Sequence, residues 1–80
     1  MDTDIRLKLR NVIRDKGYIQ SVIAKRAGLS PMKLSLILNL ERKLEANELF
    51  DVCRVIEMTP MELKEYESRL PESILTKEGG

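Results

Sequence analysis

Reactive side chains are scarce in this sequence of 80 residues, which has no histidine and a single cysteine, Cys53. No Cys/His metal set can be assembled, and no glycine-rich phosphate loop occurs. Cys53 falls at an apolar-stripe position and reads as a small buried filler rather than a nucleophile. Neither enzymatic chemistry nor a cofactor is expected. What the chain carries is charge, unevenly spread. Residues 1–43 hold ten bases (Arg6, Lys8, Arg10, Arg14, Lys16, Lys25, Arg26, Lys33, Arg42, Lys43) against four acids, a local charge of +6. Residues 44–80 hold four bases against nine acids, a local charge of −5. A basic half joined to an acidic half suits a polyanion met on one side, although the same charges also serve to solubilise helix faces.

The stretch from Gln20 to Asn39 says how such a partner would be met. Small Ala24 stands four residues before a turn glycine, Gly28, and a second helix starts at once with Ser30 as N-cap and Pro31 at the first helical position. Two helices joined by so short a turn must cross steeply. That crossing needs a small side chain at Ala24 and a permissive backbone at Gly28. Leu34, Ile37 and Leu38 form the inner stripe of the second helix, so Pro31, Met32, Lys33, Ser35 and Leu36 fall on its outer side. A helix held this way can project into a DNA major groove.

Three further helices must support this pair. Asp2, Thr3 and Asp4 are N-cap candidates for a first helix, with Ile5, Leu9, Val12 and Ile13 at helical spacing and Gly17 as its stop near Lys16. The second helix fits residues 20–27, with Val22, Ile23 and Ala27 as its buried side and Leu29 plugging the turn after Gly28. Residues 40–45 read as a charged connector. A fourth helix at about 46–57 places Leu49, Val52, Cys53 and Ile56 inward. Thr59-Pro60-Met61-Glu62 is a capping box with proline at the first position, and Leu63, Tyr66 and Leu70 then share one face of a fifth helix stopped by Pro71. Residues 1–70 are expected to form one domain and 71–80 a tail, in which Ile74 and Leu75 could still dock. A lone cysteine and the lack of a basic-then-apolar leader lead to the expectation of a cytoplasmic site. The short, charge-interrupted apolar runs lead to the expectation of no membrane span.

With these residues in place, the sequence resembles the phage-repressor/Cro-type (XRE-like) helix-turn-helix family over residues 5–66. The resemblance is carried by Leu9 and Val12, Lys16-Gly17, Gln20, Ala24, Gly28-Leu29, Ser30, Leu34, Ile37, Asn39, Leu49, Val52, Ile56 and Met58-Thr59…Leu63. It implies an all-α fold, a compact five-helix lambda-repressor-like DNA-binding domain with the helix-turn-helix at its second and third helices. It implies phosphate contacts from Gln20, Asn39 and the Arg42-Lys43 pair, flanking the third helix. Lys33 and Ser35 are candidates to hydrogen-bond bases or phosphates, as is Ser30 at the head of the helix, and Met32 and Leu36 to touch thymine methyls. The alternative has Met32 and Leu36 packing against protein.

Departures from the family pattern are informative. Ile19 stands where a polar N-cap is common, and Leu40 where a glycine often ends the third helix. Ile13 and Leu38 occupy positions where members often carry an Arg and a Glu that pair, so apolar packing is expected between the first and third helices. Matched apolar residues are often no less stable than a buried ion pair. The function expected is a small sequence-specific transcriptional regulator that binds double-stranded DNA as a homodimer. Phe50, Tyr66 and Leu70 are the candidate dimer or partner contacts. The apolar outer positions Pro31, Met32, Leu36 and Leu40 support a second reading, a protein-interaction module such as an antirepressor or a repressor partner.

Overall fold

The computed structural model describes residues 4–68, in which five helices and no strand occur: α1 (Ile5–Asp15), α2 (Gln20–Arg26), α3 (Pro31–Leu38), α4 (Ala46–Ile56) and α5 (Pro60–Lys64). Of the three candidate caps for α1, Asp4 takes the role and accepts the Arg6 N–H at 2.9 Å. Ser30 caps α3, its hydroxyl oxygen accepting the Lys33 N–H at 3.1 Å. Thr59 and Glu62 form the expected capping box on α5. No side chain caps α2, consistent with Ile19 in the N-cap place.

Four helices leave by one route. The first residue past each turn is left-handed: Gly17 (φ 70°), Gly28 (φ 78°), Leu40 (φ 64°) and Glu57 (φ 60°). In each case the next N–H reaches back to the helix, Tyr18 to the Ile13 carbonyl, Leu29 to Ala24, Glu41 to Leu36 and Met58 to Cys53, at 2.8–3.0 Å. Orphan carbonyls at the helix ends are thereby satisfied. A Cβ at Gly28 would meet no atom within 4 Å, so glycine is needed there for its dihedral angle and not for space. Leu40 follows the glycine-like path despite its side chain.

Leu9, Val12 and Ile13 of α1, Ile23, Ala24 and Ala27 beside them, Leu34 and Leu38 of α3, Val52, Cys53 and Ile56 of α4, and Leu63 of α5 pack into one apolar core. α2 packs on α3 and α4, α1 on α3 and α5, and α4 on α5. Ile13 and Leu38 are both buried in this core, so helices one and three meet through apolar contact. Burial of each Leu, Ile or Val side chain among them contributes about 1.5–3 kcal/mol relative to exposure.

Two expectations need correction. Val22 is 40% exposed. The inner face of α2 is set by Ile23, Ala24 and Ala27, which turns Val22 outward beside Ser21, Lys25, Arg26, Leu29 and Pro31 along an open groove. The fifth helix also ends at Lys64, earlier than its apolar spacing suggests. Tyr66 lies beyond it, its hydroxyl donating to Asp15 on α1 at 2.9 Å while Lys8 donates to its carbonyl oxygen. These long-range bonds fold the chain back onto α1 in place of another helical turn. Leu70, Pro71 and the tail at 71–80 lie outside the described residues.

Candidate nucleic-acid interface

The site begins with how α3 is held. Leu34, Ile37 and Leu38 are at most 4% exposed and seat the helix on the core. Ala24, fully buried, sits on α2, against which α3 packs. On the other side Pro31 is exposed, Met32 is 73% exposed, and Lys33, Ser35 and Leu36 are half-buried. Asn39 and Leu40 are exposed just past the helix. Ser30 is exposed, and its oxygen serves the cap while its O–H remains able to donate outward. Gln20 opens α2 and is half-buried.

The connector after α3 is braced from two directions. Arg6 on α1, paired with Asp4 at 2.7 Å, also donates to the Arg42 carbonyl at 3.1 Å. The Arg42 guanidinium in turn donates to Glu48 on α4 at 3.3 and 3.4 Å. Lys33 on α3 reaches Oε2 of the same carboxylate at 3.0 Å. Glu48 also accepts the Glu45 backbone N–H at 3.0 Å, which closes the first turn of α4. Lys43 is exposed and makes no ion pair among the described residues. The sequence reading missed Glu48. Its one local signal is its place three residues after Glu45 at the head of α4, the spacing of a capping carboxylate.

Charge states follow from these contacts. Partial burial pushes the Glu48 carboxyl up, but the Glu45 N–H and the Lys33 and Arg42 charges outweigh it and hold the group below its ordinary value. The Arg6 side chain, and then its backbone N–H, bring Asp4 down to about 2. Burial pushes the Cys53 thiol up, as befits an unreactive core residue. No group of three or more His, Cys, Asp or Glu residues able to hold a metal occurs among the described residues. No helix there is long and apolar enough to cross a membrane.

The candidate contact residues therefore gather on α3 and the segments at its two ends, with Gln20 at the head of the preceding helix. Phe50, 57% exposed on α4, and Tyr66 lie on other elements. Tyr66 packs half-buried against the core.

The signature of the Cro/C1-type helix-turn-helix DNA-binding domain matches residues 8–68. The chain belongs to that family. The fold is shared with two solved structures at low sequence identity. One is the DNA-binding domain of the P22 C2 repressor, 14% identical, with a TM-score of 0.75 and coverage of 92% of this chain and 97% of that one. The other is the restriction-modification controller protein C.AhdI from Aeromonas hydrophila, 20% identical, with a TM-score of 0.69 and coverage of 74% and 89%. No curated protein sequence gives a significant match. In this Cro/C1-type domain α2 and α3 are the helix-turn-helix, and the five-helix all-α architecture is lambda-repressor-like, as the sequence led one to expect.

Proposed function

We propose that this Cro/C1-type domain is a sequence-specific transcriptional regulator that seats α3 in the major groove of double-stranded DNA and acts as a homodimer. The observation carrying this reading is the division of α3 into a sealed inner stripe and an accessible outer side, with cations immediately beyond it. Gln20, Asn39, Arg42 and Lys43 then set register on phosphates, which carry no sequence information directly. Lys33 and Ser35 supply hydrogen bonds in the groove, with Ser30 at its edge, and Met32 and Leu36 meet thymine methyls. Two copies bound to paired half-sites raise affinity and specificity beyond what one small domain reaches. Phe50, exposed on α4, is the leading candidate for the dimer contact.

The test is selection of duplexes from a random pool, followed by anisotropy binding of the winners over a salt series. A palindromic winner whose affinity falls steeply with salt is expected, because neutralised phosphates regain counterions. Arg42→Ala with Lys43→Ala should flatten the slope by roughly one to two units. An unchanged slope removes the pair from the phosphate contacts. The exposure of Met32 and Leu40 favours a second reading, docking of a regulatory protein on this face. Pull-down of a regulator, lost in Leu36→Asp and without DNA retention at low salt, would decide for it.

A further inference from the structure

Among the described residues, Glu48 is the side chain that joins α3, the connector and α4. Its side chain, only 12% exposed, holds Lys33 at 3.0 Å on Oε2 and Arg42 at 3.3 and 3.4 Å across both oxygens. Both cations belong to the face proposed above to meet DNA, and this inference rests on that reading. The Lys33 and Arg42 side chains remain 37% and 33% exposed, so each can leave the carboxylate for a phosphate without unpacking the core. Ion pairs whose cations stand partly in water in this way are exchangeable. The backbone N–H of Glu45 fixes the carboxylate independently of either cation. The negative charge therefore stays in place whether or not the cations leave.

We propose that Glu48 is a specificity-determining residue that withholds Lys33 and Arg42 from duplexes on which α3 is not seated. An unpaired lysine or arginine on a flexible stem finds a phosphate on any sequence, in many poses. Held by a shared carboxylate, the two cations are confined between α3 and the connector, where phosphates reach them when the helix is in register. The carboxylate also repels a phosphate backbone that approaches out of register. Discrimination built on a repulsive element against wrong partners is a general route to specificity. Lys43, exposed and without an ion pair among the described residues, lacks this restraint and serves as the internal comparison.

The experiment measures binding of the full chain to a random-sequence duplex and to a selected duplex, each over a salt series, for wild type and Glu48→Gln. The glutamine keeps an acceptor for the Glu45 N–H, and removes the charge together with one of the two oxygens that hold the cations. The expected result is random-duplex binding tighter by about 3- to 10-fold, with a salt slope steeper by roughly 0.9 for each cation released. Binding to the selected duplex gains less, so the ratio of the two affinities falls. A second arm stays in the wild-type background and does not depend on how Glu48→Gln folds. There Lys33→Gln should lower the random-duplex slope less than Lys43→Gln does. Equal slopes for wild type and Glu48→Gln, or a Lys33→Gln effect as large as that of Lys43→Gln, would overturn the proposal while leaving DNA binding intact. Wild-type protein that binds no duplex at low salt would overturn both.

Discussion

Glu57 offers a clean measure of strain in this fold. It lies past the end of α4 with φ 60°, exposed to solvent. A side chain in the left-handed region costs about 1–2 kcal/mol. Glycine removes that cost but, with more freedom in the unfolded chain, gives back roughly 0.5–1 kcal/mol. Little packing is lost at an exposed position, so Glu57→Gly should stabilise by about 0.5–1 kcal/mol net. Removing a negative charge at a helix C-terminus adds a few tenths of a kcal/mol at most. Glu57→Ala shares that electrostatic gain but keeps the Cβ and its strain, so the difference between the two variants isolates the backbone effect. For a domain of this size the gap corresponds to roughly 2–6 °C in Tm. Thermal and urea melts followed by far-ultraviolet circular dichroism provide the assay. A Glu57→Gly protein that melts at or below Glu57→Ala would show that the left-handed turn is not strained and that the reasoning fails.

Two other perturbations test separate parts of the structure. Asp4→Asn keeps a capable N-cap but removes the charge that Arg6 holds. Because the folded Asp4 pKa is depressed to about 2, its stabilisation is present above the ordinary carboxylate range and fades as pH falls toward 2. The variant should lose at most about 1 kcal/mol at pH 7, the screened value of a half-exposed pair. Urea melts at several pH values should show the gap closing in acid, and a gap constant with pH would contradict the assignment. Ala24→Leu should cost about 1–3 kcal/mol or more, since Ala24 is fully buried in the packing of α2 with α3. A melt unchanged from wild type would mean that the crossing of these helices has room the structure does not show.

What could be read from the sequence was what depends on near neighbours. Ser30-Pro31 and Thr59-Pro60 with Glu62 announce helix starts because the capping partners lie within three residues. Gly17 and Gly28 announce exits because the left-handed backbone favours glycine. Leu40 and Glu57 make the same turn without that marker, so no glycine announces the exits of α3 and α4. Val22 was misassigned because a helix of 7 residues fixes its own phase poorly, and the neighbouring helices decide which side is covered. The spacing of Leu63, Tyr66 and Leu70 promised a longer fifth helix. Tyr66 instead turns to Asp15, a partner 51 residues away that no local pattern reveals. Among the site residues, the accessible side of α3 followed from its inner stripe. The Glu48 bridge did not, because its two cations lie on different segments that meet only after the chain has folded.

The lone thiol, on the buried side of α4, gives this protein a built-in clock. Cys53 is 3% exposed, and its burial disfavours the thiolate through which alkylating reagents act. Labelling must therefore wait for the α4 layer to open. With reagent in excess, the reaction rate reports how often that opening occurs, without an engineered probe. A duplex that binds the folded form should slow the clock in proportion to its affinity and concentration. Occupancy of the outer face of α3 could thus be followed by chemistry inside the core.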